Sequence, residues 1–169
     1  MSEEIYGLVT GLRDAMQVAF AVTADPPARY TVQPGDLESY SQDLGTNMDA
    51  CCDGQVIILA GSLTIPDLAS LRAGGPMYQP VAVVVLRCAA TVDSLGRPPD
   101  DAATLADFEQ YADDAKVVRA AVRAFLSGPD ADLNETDLTD YAEDTIGPQG
   151  GCGGKAVSFV IPIMEDCVP

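Results

Sequence analysis

The stretch GPQGGCGGKAVSFVIPI at positions 147–163 holds the residue types closest to a chemical motif. Five glycines, a lysine and an apolar run suggest a loop that cradles phosphate. Such a loop needs G-x-x-x-x-G-K-[ST] opening a helix whose free N–H groups meet the anion. Gly154 and Lys155 supply the G-K pair, but Gln149 stands at the first glycine position and Ala156 at the hydroxyl position. The residues after the lysine, AVSFVIPI, have the pattern of a strand. A dinucleotide fingerprint fails on the same context, since it needs a strand before and a helix after. The glycines are therefore expected to let the chain turn tightly and approach other backbones. No nucleotide or other cofactor is expected.

The remaining chemistry is sparse. The chain has no histidine, which removes the commonest general base and the commonest metal ligand. Its five cysteines, Cys51, Cys52, Cys88, Cys152 and Cys167, include no C-x-x-C pair. Zinc sites usually pair their ligands two to four residues apart. The cysteines are expected to be reduced thiols, some buried as small hydrophobes, with neither zinc nor obligatory disulfides. Neighbouring acids such as Asp113 and Asp114 point to different sides of a helix, so no catalytic carboxylate pair is legible. An enzyme is not expected. Lys116, Arg119 and Arg123 share one helical face that could grip an acidic partner, although a solvated face has the same pattern.

The elements that must position these residues follow from periodicity. Ile5, Leu8, Leu12, Met16 and Phe20 recur at helical spacing behind Ser2, which can act as a cap, giving a helix over 3–20 that Pro26 and Pro27 terminate. Gly7 and Gly11 weaken that helix and permit close packing. Strands are expected near 29–32, 55–65, 81–92 and 156–164. Val81 to Leu86 is apolar without alternation, which implies burial on both faces. Pro162 places the last strand at an edge or at a bulge. After the turn residues SLGRPPDD, a helix over 101–126 carries an apolar stripe of Leu105, Phe108, Ala112, Ala115, Val122 and Phe125. Positions 129–154 read as an acidic and then glycine-rich loop. The whole is one domain of α+β class: a mixed or antiparallel sheet packed on one face by two helices.

Length and charge bound the function. The 169 residues suit a single domain, and 47 % apolar content suffices for a core. With 26 acids against 9 Lys and Arg the net charge is −17, which opposes general nucleic-acid binding. The N-terminus has acids where a signal peptide needs bases, and no apolar run approaches the ~20 residues of a membrane span. The chain reads as cytosolic at synthesis.

Three stretches together resemble a known family: DGQVIILAGSLTIP at 53–66, VAVVVLRCAATVDSLGRPPDDAATL at 81–105, and GPQGGCGGKAVSFVIPI at 147–163. The pattern V-V-L-R-C, then T-x-D-S-x-G-R-P-P, a long helix, and G-P-x-G-G-C-x-G-G with a strand is similar to small virion proteins of tailed phages infecting actinobacteria. These belong to the head-to-tail connection. The element order is similar to that of the lambda-type tail terminator. The resemblance implies a hexameric ring at the head-proximal end of the tail tube, contacting the tube protein and the head-completion proteins. It implies passage of genomic DNA without specific binding, no catalysis, and a location in the virion neck after assembly in the host cytoplasm. Arg87, Cys88, Arg97, Pro98, Pro99, Gly150, Gly151, Cys152, Gly153 and Gly154 match the pattern and are expected to determine fold and loops. The candidate interface comprises Lys116, Arg119, Arg123, Gly150, Gly151, Gly153, Gly154 and Lys155. A head-closure or connector protein of the same neck is the nearest alternative. A small ligand-binding domain or carboxylate enzyme is the alternative from another class.

Overall fold

The structure is a computed structural model that describes residues 3–37, 51–64, 77–91, 95–128, 139–149 and 151–163. Helix α1 spans Glu3–Phe20, and strands β1 and β2 span Arg29–Pro34 and Gln55–Ala60. Strand β3 (Met77–Cys88), helix α2 (Asp101–Leu126) and strands β4 (Thr139–Gln149) and β5 (Cys152–Ile163) complete the order. The strands form one mixed sheet in the order β1-β2-β3-β5-β4, with β1 parallel to β2 and every other pair antiparallel. The class is α+β, with both helices on one face of the sheet.

Side-chain alternation along β3 explains its unbroken apolar run. Val81, Val83 and Val85 face the helices, joining Val9, Leu12, Met16 and Phe20 of α1 and Val118, Val122 and Leu126 of α2. Ala82, Val84 and Leu86 face the other way, into a second cluster with Ile57, Leu59, Ile146 and Ala156. Both faces of the central strands are buried, as the run of valines requires. Asp100 caps α2, accepting from the Ala103 N–H at 2.7 Å. Gly11 lets the helices approach, since a Cβ there would lie 2.9 Å from the Phe125 ring.

Several expectations need correction. The stretch 129–154 is not a continuous loop, because its described part builds β4 and the start of β5. Strand β4 is acidic and mostly exposed, with Ile146 buried, so hydrogen bonding to β5 holds it rather than an apolar face. An edge strand of that kind carries no hydrophobic alternation. The other limits shift too. Strand β1 runs on to Pro34, β2 ends at Ala60, and β3 begins at Met77 and ends at Cys88. Strand β5 begins at Cys152 rather than 156 and ends at Ile163.

Strand β5 is also interior, between β3 and β4, despite Pro162. The Ala89 N–H donates to Gly151 at 2.8 Å, which fixes the alternation between β3 and β5. By that alternation Pro80 and Pro162 fall in non-hydrogen-bonded pairs, with Val160 and Tyr78 respectively. Their nitrogens therefore point away from each other's strand. On those outer sides β2 has stopped at the partner of Val81 and β4 begins at the partner of Val160. Beside Pro80 the Gly61 N–H still donates to the Pro80 carbonyl at 2.9 Å, and the Gly61 carbonyl, which a backbone N–H at 80 would otherwise meet, accepts from Gln79 Nε2 at 2.8 Å.

The stripe of α2 differs from expectation as well. The buried residues are Tyr111, Asp114, Ala115, Val118, Ala121, Val122 and Leu126, whereas Leu105, Phe108 and Ala112 are exposed and Phe125 is half-buried. A charged residue on the inward face conceals the true periodicity. The expected cap at Ser2, the strand ends at 65, 92 and 164, and Cys167 lie outside the described residues.

Candidate functional site

Arg87 stands on the helix-facing side of β3, where the apolar run would otherwise continue. A buried guanidinium there requires a buried acceptor. Asp114 supplies it from α2 in a two-bond fork: Nε donates to Oδ2 at 2.9 Å and Nη2 to Oδ1 at 2.8 Å. The side chains are 6 % and 4 % exposed, so the pair is sealed from water. Gln110 donates to the same carboxylate at 3.3 Å, and the exposed Asp25 accepts from Arg87 Nη1 at 3.2 Å. Burial works against the Arg87 charge, but the hydrogen bonds and charge of Asp114 outweigh it and hold its pKa above the ordinary value. This group is satisfied on every side and joins helix to sheet.

The glycine stretch builds the turn between β4 and β5 and the first residues of β5. Gly151 has φ +86° in that turn. At Gly154 a Cβ would fall on the Val85 carbonyl oxygen and 2.9 Å from its carbon. At Gly153 it would collide with the Tyr111 hydroxyl and lie 3.1 Å from Ala89 Cβ. These glycines admit a neighbouring backbone and an aromatic ring, not a phosphate. Burial and the carboxylates of Asp107 and Asp114 push the Tyr111 hydroxyl up to about 12.

The basic residues separate. Lys116 pairs with Asp113 on an exposed turn at 2.7 Å. Arg119 instead reaches across to Glu143 of β4, which also accepts from the Tyr141 hydroxyl at 2.6 Å. Lys155, on the neighbouring strand, adds its positive charge beside Glu143. Arg119 and Lys155 thus converge on one carboxylate, whereas Lys116 does not join them. Arg123 lies in the last turn of α2. Gly150 lies outside the described residues. The hydrogen bonds from Tyr141 and Arg119 hold the Glu143 carboxyl below its usual range. A carboxyl depressed by folding stabilises above its unfolded value and loses that stabilisation as pH falls through the folded value. Glu143→Gln is therefore expected to cost about 0.5–1 kcal/mol at neutral pH and progressively less as acid protonates the carboxyl, read by urea titration at several pH values.

The cysteines overturn their expectation. Cys51 is joined to Cys152, with Cα atoms 5.8 Å apart, and Cys52 is joined to Cys88. Spacing along the chain carries no hint of this, because the partners are 101 and 36 residues apart. The register of β3 against β5 brings them together by placing Cys88 opposite Cys152.

A cavity of about 490 Å³ opens at one end of the sheet, lined by Asp36, Leu37, Pro80, Asp140, Ser158 and Val160 among others. Its size suits a small ligand. Among the described residues no group of three or more Cys, Asp or Glu is placed to hold a metal ion, and no helix is long and apolar enough to cross a membrane. No protein-family model and no curated protein matches the chain.

Proposed function

We propose that this chain is a structural protein of the neck of a tailed phage, a tail terminator that forms a ring on the head-proximal end of the tail tube. One observation carries the reading: the motif residues at the heart of the described site are spent on architecture. Arg87 is consumed by Asp114, Gly153 and Gly154 by close approaches, and Cys152 by a buried bridge. A pattern that serves the fold rather than a reacting group suits a protein whose product is an assembly. The outer edge of β4 pairs with no strand among the described residues, so β4, rather than β5, is the element for a subunit boundary. Arg119 pairs with Glu143 within the chain, which offsets the positive charge it would present to passing DNA. Six copies at −17 would carry about −100, a field that repels DNA and lets the genome pass.

The test is deletion of the gene followed by imaging of the lysate. Tails of unregulated length that do not join heads are expected. Normal-length tails beside DNA-leaking heads would move the assignment to head closure, and fully infectious particles would remove it. The cavity beside Asp36 and Asp140 favours the ligand-binding alternative. A monomer in solution that retains a metabolite through purification would establish that reading instead.

A further inference from the structure

Four of the five cysteines meet at one corner of the molecule. Cys51 and Cys52 are consecutive, in the turn that precedes β2. Cys88 and Cys152 are opposed in the β3–β5 register. The Ala89–Gly151 hydrogen bond makes theirs the close, non-hydrogen-bonded kind of pair, with Cα atoms about 4.5 Å apart. The two bridges therefore lie side by side and tie the same turn to the same end of the sheet.

Their surroundings are unequal. Cys51 and Cys152 are 1 % and 2 % exposed and belong to the apolar cluster with Ile57, Leu86, Ile146 and Ala156. Cys52 and Cys88 are exposed. Thiol–disulfide exchange requires a thiolate to reach a sulfur of the bridge, so access decides which bridge reacts. The inner bridge is screened by the sheet's second core, and the outer one faces solvent.

We propose that Cys52–Cys88 is a thiol-exchange site mounted on a permanent Cys51–Cys152 bridge, and that a dithiol reductant opens the outer bridge alone. The thiolate of the dithiol attacks one sulfur, the S–S bond breaks, and the other sulfur leaves as a thiolate that takes a proton. The second thiol of the reagent then displaces the first cysteine and closes its own disulfide. The protein gains two electrons and two protons as two surface thiols, and the reagent is oxidised by the same amount. Opening frees the chain that leaves β3 at Cys88 from the turn at Cys52. The fold survives because the inner bridge closes the longer loop, 101 residues against 36, and the longer loop carries the larger entropic constraint. This inference is independent of the neck assignment.

The experiment uses the full-length chain under native conditions. It is incubated with increasing dithiothreitol, trapped with iodoacetamide and mapped by peptide mass. Cys52 and Cys88 are expected to be labelled together at a reagent concentration at least tenfold below that needed for Cys51 and Cys152. Labelling of all four together, or of the inner pair first, would overturn the proposal. So would a non-reduced map without the Cys52–Cys88 peptide, or one equivalent of zinc held in place of the bridges. In the double variant Cys52→Ser/Cys88→Ser the inner bridge is expected to keep its resistance. If it became as easily reduced as the outer one is in the parent, its protection would come from the outer bridge rather than from burial, and the proposal would fail.

Discussion

Gly154→Val is expected to leave no cooperatively folded protein. The position sits in β5, which pairs with β3 on one side and β4 on the other. A Cβ would occupy the place of the Val85 carbonyl oxygen, and Leu86 Cα lies 3.2 Å away. Both obstacles are backbone, so no rotamer change relieves the clash. Separating β5 from β3 would open the longest antiparallel pair in the sheet and expose Val157, Phe159 and Ile161, which are buried against the helices. The cost exceeds the roughly 4–5 kcal/mol that marks an exceptional single substitution, against a total stability of about 5–15 kcal/mol for a domain. Even Gly154→Ala should shift the soluble fraction and the circular-dichroism melt severely. An alanine variant that melts within a few degrees of the parent would contradict the close approach. Gly147, which is exposed, has no neighbour within 4 Å and lies outside the left-handed region, serves as the comparison.

Asp114→Ala is expected to cost about 3–5 kcal/mol, because it leaves the Arg87 guanidinium buried and unpaired. Asp25 does not rescue it, being 75 % exposed and in contact with another nitrogen of the guanidinium. Removing both charges with Arg87→Met and Asp114→Leu should recover most of that loss, since a packed apolar pair is often as stable as a buried ion pair. Equilibrium denaturation of the two single variants and the double variant forms a cycle that reads the coupling directly. Losses that simply add would mean the two residues do not depend on one another.

How far the sequence foretells this molecule varies by element, for identifiable reasons. The stripe of α1 is largely legible because its inward residues are apolar, although Val9 is the fully buried residue of the second turn and the expected Leu8 is only partly buried. The stripe of α2 is misread because Asp114 lies on the inward face and Leu105 and Phe108 on the outward one. The clue is present in β3: an arginine at the inward phase of a valine run demands a buried acid somewhere. Strand β4 escapes notice because it is an edge with little apolar burial, and its Gly147 and Pro148 look like loop chemistry. The role of the glycines as points of close approach is foreseen in kind, although their partners, Val85 and Tyr111, become known only through the register. The disulfides are missed because pairing cannot be deduced from spacing, and an odd count without paired spacing suggests free thiols. The convergence of Arg119 and Lys155 on Glu143 depends on β4, the strand that periodicity does not disclose.

The contact between Gly153 and Tyr111 has a consequence for the history of the chain. The two positions share a single volume: the Tyr111 hydroxyl fills the space that a side chain at 153 would need. Mutation at either site is therefore conditional on the other. A lineage that acquires alanine at 153 is viable after residue 111 has lost its hydroxyl, and the reverse order passes through a clash rather than a cavity. Since a cavity is tolerated more easily than overlap with packed neighbours, the expected order of substitution is 111 first and 153 second. In an alignment of descendants the two columns should covary, with no sequence carrying both tyrosine at 111 and a side chain at 153.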